Sequence, residues 1–245
     1  MVHRTMQTKT MPLRSRLFVV TLFAIAMGFL EAAVVVYMRE ILYPGGFVFP
    51  LSPVPVHLAL TELLREVATL VMLVSIGFLA GRKFSTGFAW FIYSFAIWDI
   101  FYYVFLKAIQ AWPESLFTWD VLFLIPTTWT GPVLTPLMVS LTMILLALVI
   151  LVYAERGKET RIRGLEWAGL IAGSLILVFS WITGYSRHML IRFTLTEMLA
   201  LKNPEVLDWA TRYIPGHFPW WIFLLGEGII LTSIFIYWRR IKTLH

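Results

Sequence analysis

Six stretches of the chain are apolar for long enough to cross a bilayer, at about 17–38, 56–80, 86–110, 133–154, 165–184 and 218–238. The breaks between them are punctuated. Tyr43-Pro44-Gly45-Gly46 and Pro50-Leu51-Ser52-Pro53-Val54-Pro55 end the first stretch, and Gly81-Arg82-Lys83 makes a tight turn after the second. This pattern predicts an all-α integral membrane protein with six transmembrane helices: a tail over 1–15, a single bundle over 16–239, and a second tail over 240–245. The Ala24-Ile25-Ala26 triplet is a weak cleavage-site lookalike, but the apolar run continues to Tyr37, so the first span reads as an uncleaved anchor.

Two connecting segments depart from simple loops. Residues 113–132 are apolar, too short to span, and interrupted by Pro126 and Pro132, which suits a re-entrant or interfacial segment covered by protein or water. Residues 185–217 form the longest loop. Asn203-Pro204-Glu205 opens a helix there, and the mixed stretch His188 to Leu201 is expected to lie along the surface. No repeat relates residues 1–110 to 111–245, so an inverted-repeat transporter has no support.

Charge then gives direction. Arg4, Lys9, Arg14 and Arg16 precede the first span, and Arg82 and Lys83 join the second to the third. Arg156, Lys158, Arg161 and Arg163 join the fourth to the fifth, and Arg239, Arg240 and Lys242 follow the sixth. All fall on one side of a six-span chain and account for most of its 20 Lys and Arg. By the positive-inside rule both termini are expected to be cytoplasmic, and the expected location is a cell membrane of the bacterial inner-membrane kind. The other side carries Glu40, Glu114, Asp120, Glu197, Glu205 and Asp208.

Composition narrows the chemistry. The chain is 59% hydrophobic and 14% charged with mean hydropathy +0.80, against about 25% charged in soluble proteins. Its net charge of +6 comes from the basic loops of one membrane face, so nucleic acid is not an expected partner. The expected partners are the lipid bilayer and either other membrane subunits or a homo-oligomer. With no cysteine there are no disulfides, thiolate metal sites or Cys nucleophiles. No His-Glu-x-x-His, Walker-A or Gly-x-Ser-x-Gly motif occurs among the residues. No cofactor or metal site is predicted, although a hard cation on carboxylates remains open.

The distinctive residues are ionisable groups inside the spans: Glu31, Glu62, Arg65, Glu66, Asp99 and Glu227. A charge in hydrocarbon costs several kcal/mol unless paired, neutralised or hydrated, so such residues mark a site, a pathway or a packing lock. At about 1.5 Å rise per residue, Glu31 lies about 22 Å along the first span and Asp99 about 20 Å along the third. Glu62 and Glu66 lie about 9 and 15 Å below the outer end of the second, and Glu227 lies near the middle of the sixth. Four helices thus bring acids to one half of the membrane, which points to a common polar chamber. Glu62, Arg65 and Glu66 share a helix face, and Arg65 is expected to pair with one of the acids. Asp99, Tyr103 and Lys107 form a stripe with Trp98 and Tyr102 beside it, and Trp119, Asp120 and Trp129 are further candidates for the chamber lining. Glu227 stands between Gly226 and Gly228, where close helix packing explains it nearly as well as chemistry. His57, His188 and His217 read as surface or hydrogen-bonded histidines.

The block Trp98-Asp99-Ile100-Phe101-Tyr102-Tyr103, with Trp112-Pro113-Glu114-Ser115-Leu116 and Trp119 to Pro126, resembles a family of bacterial polytopic membrane proteins. The resemblance covers residues 90–140 and implies no activity. In size and helical topology alone the chain is also similar to small integral-membrane terpene cyclases, with no motif shared. Three functions compete. The first is a proton- or cation-handling carrier or subunit of a membrane complex, and the leaning is toward a non-enzyme. The second is a membrane-embedded enzyme using acids in an aromatic pocket on a lipid-soluble, isoprenoid-like substrate. The third is a purely structural subunit.

Overall fold

The computed structural model describes residues 11–125, 127–198 and 204–243. Outside them fall Arg4 and Lys9 of the first tail, His3, His245, Pro126, the Asn203 cap and the 199–201 end of the surface stretch. Six helices are long and apolar enough to cross a membrane: α1 (Leu13–Leu42), α2 (Val56–Ala80), α3 (Phe84–Gln110), α4 (Leu134–Glu155), α5 (Gly164–Leu190) and α8 (Trp220–Thr243). Two short helices, α6 (Leu195–Met198) and α7 (Pro204–Thr211), lie between α5 and α8. The all-α membrane class read from the sequence is what the chain adopts. The helices exceed the apolar runs because polar residues such as Arg14, Arg39, Glu155 and Arg240 continue them past the apolar core.

Local chemistry sets the helix ends. Prolines precede α1, α2 and α8 at Pro12, Pro55 and Pro219, where a missing N–H costs nothing. Thr86 Oγ1 accepts the Lys83 N–H (3.1 Å) at the start of α3, and Glu166 Oε2 accepts that of Arg163 (2.7 Å) at the start of α5. Lys107 closes α3 by donating to the carbonyls of Ala111 (3.0 Å) and Pro113 (2.8 Å), satisfying acceptors the helix leaves free.

α3 is the hub, packing along α1, α2 and α4, while α5 pairs with α8. Small residues permit the closest approaches. A Cβ at Gly28 would sit 2.9 Å from the Trp98 carbonyl, and one at Gly173 would sit 2.8 Å from that of Gly226. One face of the bundle, here the terminal face, gathers the start of α1, the α2–α3 and α4–α5 turns and the end of α8. It is tied by Arg16–Glu155 (2.8 Å), Ser85–Thr160 (2.9 Å), Tyr237 to the Thr160 carbonyl (3.0 Å) and Arg240–Glu166 (2.6 Å).

The opposite face holds what the sequence left undefined. The segment 113–132 contains an antiparallel hairpin, β1 (Trp119–Phe123) with β2 (Trp129–Pro132), paired Trp119 to Pro132 and Asp120 to Gly131. Both strands reach inward between the helices. The Leu124 N–H meets Glu66, ten residues into α2, and Trp129 stacks on Trp181, nine residues from the end of α5. Both depths are about 15 Å. The loop expected over 185–217 is shorter, because α5 runs on to Leu190 and takes His188 into its last turn. Nothing between Gly184 and Leu190 breaks a helix, and Tyr185 and Met189 bury against Val206 and Tyr213.

Candidate functional site

Glu31 and Arg39 of α1 fall on one face at four-residue spacing with Val35 between them. Glu62, Arg65, Glu66 and Thr69 of α2 face the same space, as do Asp99, Tyr102 and Tyr103 of α3 and Asp120 of β1. Together they line one cavity of about 510 Å³ on the hairpin half of the bundle. Five of the six expected buried charges meet there. The sixth, Glu227, does not: it accepts a hydrogen bond from Thr142 of α4, away from the chamber, and its Oε2 has no partner among the described residues.

Pairing within the chamber is uneven. Arg65 donates to Glu62 (2.6 and 2.8 Å) and, across to α1, to Glu31; Thr69 also reaches Glu31 (3.4 Å). The expected pairing of Arg65 with an acid of its own helix holds for Glu62 and not for Glu66. Glu66 turns toward the hairpin and accepts the Leu124 N–H at 3.0 Å. Asp99 accepts from Ser140 of α4 at 2.8 Å and meets no cation among the described residues. Its stripe neighbours serve elsewhere: the Tyr103 hydroxyl donates to Asp120 (3.2 Å), and Lys107 caps α3.

Arg39 escaped the sequence reading. At the end of α1 it resembles an interfacial residue, yet its side chain is 7% exposed. The guanidinium donates to Asp120 (3.1 Å) and lies 3.7 Å from the Trp112 ring centre and 4.3 Å from that of Phe47. Its Nη1 has no partner among the described residues. The available signal was its four-residue spacing from Val35 and Glu31. Burial pushes the Asp120 carboxyl up to about 6, although Arg39 and the Tyr103 hydroxyl oppose the shift.

Trp98, Tyr102, Tyr103 and Asp120 border the cavity, and Tyr43, Phe47, Phe123 and Tyr185 add aromatic wall. Trp119 and Trp129 do not line it. Trp119 packs on Phe218 (6.0 Å between centres), and Trp129 stacks on Trp181 (5.4 Å), fastening the hairpin to α5 and α8. Toward the terminal face the chamber is blind. Ala24, Met27, Leu73 and Trp98 pack beneath it. The next hydrogen-bonded pair, Thr21 with Tyr93 (2.8 Å), lies six residues, about 9 Å, further along α3. His57 is exposed, and His188 stacks on Trp209 (4.8 Å) while bonding its carbonyl (2.9 Å). Among the described residues no group of three or more His, Asp or Glu is placed to hold a metal ion.

No family model, curated protein or solved structure matches the chain. Function therefore rests on the chemistry of the chamber alone.

Proposed function

We propose that the protein binds, within the membrane, a small lipid-soluble molecule that carries or develops positive charge, and that Asp99 and Glu66 exchange protons with it. One observation carries this reading: a single cavity collects Glu31, Glu62, Glu66, Asp99 and Asp120, with Asp208 at its border paired to Arg212, against two guanidiniums among the described residues that line it, Arg39 and Arg65. A carboxyl taken from water without a cation is stable only when it holds a proton or meets a positive group. Asp99 and Glu66 are the chamber acids in that position. Aromatic faces from Tyr43, Phe47, Trp98 and Tyr102 favour positive charge in the same space. The set suits general acid–base work on a bound molecule.

A second reading, a proton- or cation-handling carrier or subunit of a membrane complex, draws on the same excess of acid. The apolar floor favours the closed chamber, because a conduit needs polar groups on both sides of it. The basic residues of the terminal face support cytoplasmic termini, with the chamber toward the far side of the membrane.

Dicyclohexylcarbodiimide, which attacks protonated carboxyls in apolar surroundings, tests the reading. Peptide mapping after treatment in liposomes is expected to find the adduct on Asp99 or Glu66 and not on Glu31, Glu62 or Asp120. An adduct confined to the guanidinium-paired acids, or none at all, contradicts it.

A further inference from the structure

We infer that the molecule held in the chamber arrives sideways from the bilayer, through the seam between α1 and α2, and is therefore a membrane-dissolved amphiphile with a compact polar head. The inference rests on the chamber reading above and adds its route. The helical walls other than the α1–α2 edge are close-packed. The floor is the apolar cluster under Trp98. The far end is partly covered by the α1–α2 connector, where Ser52 bonds the Tyr43 hydroxyl (2.8 Å) and the Leu42 carbonyl (2.9 Å), and Asp208 and Thr211 of α7 also border the chamber. Phe47 packs on Trp112 and Phe49 on Tyr213 to hold that connector down. α3 packs closely on α1 and on α2.

α2 is the exception. It buries only Glu66, Thr69, Leu73 and Gly77, one position per turn, and its extensive packing is along α3. Against α1 and the hairpin its packing is sparse, with Leu73 joining the Ala24 and Met27 cluster beneath the chamber. Its two edges are instead closed by consecutive side chains, Arg65 reaching Glu31 on α1 and Glu66 reaching Leu124 at the hairpin tip. The α1 edge is thus a slit bridged by polar groups rather than interlocked ridges and grooves. Arg65, Glu31 and Glu62 there stay 21%, 12% and 13% exposed, while neighbouring Leu30 and Leu64 face outward at 64% and 60%.

A polar rung at a lipid-facing slit is costly unless something polar uses it. A head group passing between α1 and α2 exchanges partners along Glu62, Arg65 and Glu31. Its apolar part stays against Val35, Met38 and Leu70, which line the chamber beside them.

The chain has no cysteine, so introduced thiols report cleanly. Glu31→Cys with Thr69→Cys places thiols where the native side chains meet across the slit, within reach of a short bis-thiol linker. Met38→Cys with Ala59→Cys repeats the test nearer the helix ends without touching the ion pair. In liposomes, bilayer-soluble dicyclohexylcarbodiimide is expected to modify Asp99 and Glu66 in the unlinked variants and at least tenfold more slowly once α1 and α2 are joined. A water-soluble carbodiimide is expected to modify them poorly in both states. Equal rates with and without the link, or equal rates for the two reagents, overturn the route and leave the chamber reading standing. No modification by either reagent in the unaltered protein overturns the chamber reading, and the route with it.

Discussion

Arg39 and Arg65 face one cavity but depend on their partners differently. Arg39 is almost wholly buried and has one acid, Asp120, whereas Arg65 is shared between Glu31 and Glu62 at a partly exposed seam. Removing one member of a buried pair strands the other and costs about 3–5 kcal/mol. Asp120→Ala is therefore expected to lower the thermal unfolding midpoint in detergent strongly, and Glu62→Gln only slightly. Asp120 also gives a pH signature. Its folded value of about 6 lies above the ordinary 3.8, so the folded chain binds that proton more tightly than the unfolded one. This contribution to stability is complete below about pH 4 and is lost as pH rises through about 6. The midpoint of the unaltered protein should fall across that window relative to Asp120→Asn, and parallel profiles would dismiss the effect. Glu227→Gln, by contrast, should leave carbodiimide labelling of Asp99 untouched and shift stability by about 0.6 kcal/mol, the usual worth of a hydrogen bond between membrane helices. The sequence made the acids visible because charge stands out against hydrocarbon. It hid Arg39, since a basic residue at a helix end usually reaches water, and only the fold of the α1–α2 connector over it shows otherwise.

At the scale of elements, helix lengths and turns were readable because apolar runs and proline or glycine breaks are local properties. The hairpin was not. Trp119, Val121 and Phe123 alternate like a strand, but five residues are too few to separate a strand from an apolar coil. What holds the hairpin is remote: Glu66 on α2, Arg39 on α1 and Trp181 on α5. Trp129→Ala removes the stack on Trp181 and is expected to destabilise by about 3–5 kcal/mol. Loss of the hairpin's protection from protease should accompany it. The α5–α8 pair gives a second check. A Cβ at Gly173 would fall 2.5 Å from Ile230 Cγ1 and 2.8 Å from the Gly226 carbonyl, so the helices must separate. Gly173→Val should cost about 1–3 kcal/mol, read as a lowered midpoint, whereas Gly228→Ala, with open space around it, should cost little.

The whole molecule is asymmetric across its thickness. One half is an apolar core tied at the terminal face by ion pairs such as Arg240–Glu166, and the other is hollowed by the chamber. The proposed orientation rests on where Arg and Lys gather, so a fluorescent-protein fusion at the C-terminus should be bright and an alkaline phosphatase fusion there inactive; the reverse would invert the bundle. The depth coincidence of acids on separate helices pointed to a chamber, and α8 with Glu227 takes no part in the cavity. That coincidence could not reveal which acids would find a cation, because Arg65 chooses its partners through the α1–α2 seam. The most direct measurement is mass spectrometry of the protein extracted with its native lipid into nanodiscs. A single lipid-soluble species enriched over bulk lipid, and lost in the Asp99→Asn/Glu66→Gln variant, is the expected result. Bulk lipid alone in both samples would contradict a chamber built to hold a specific molecule.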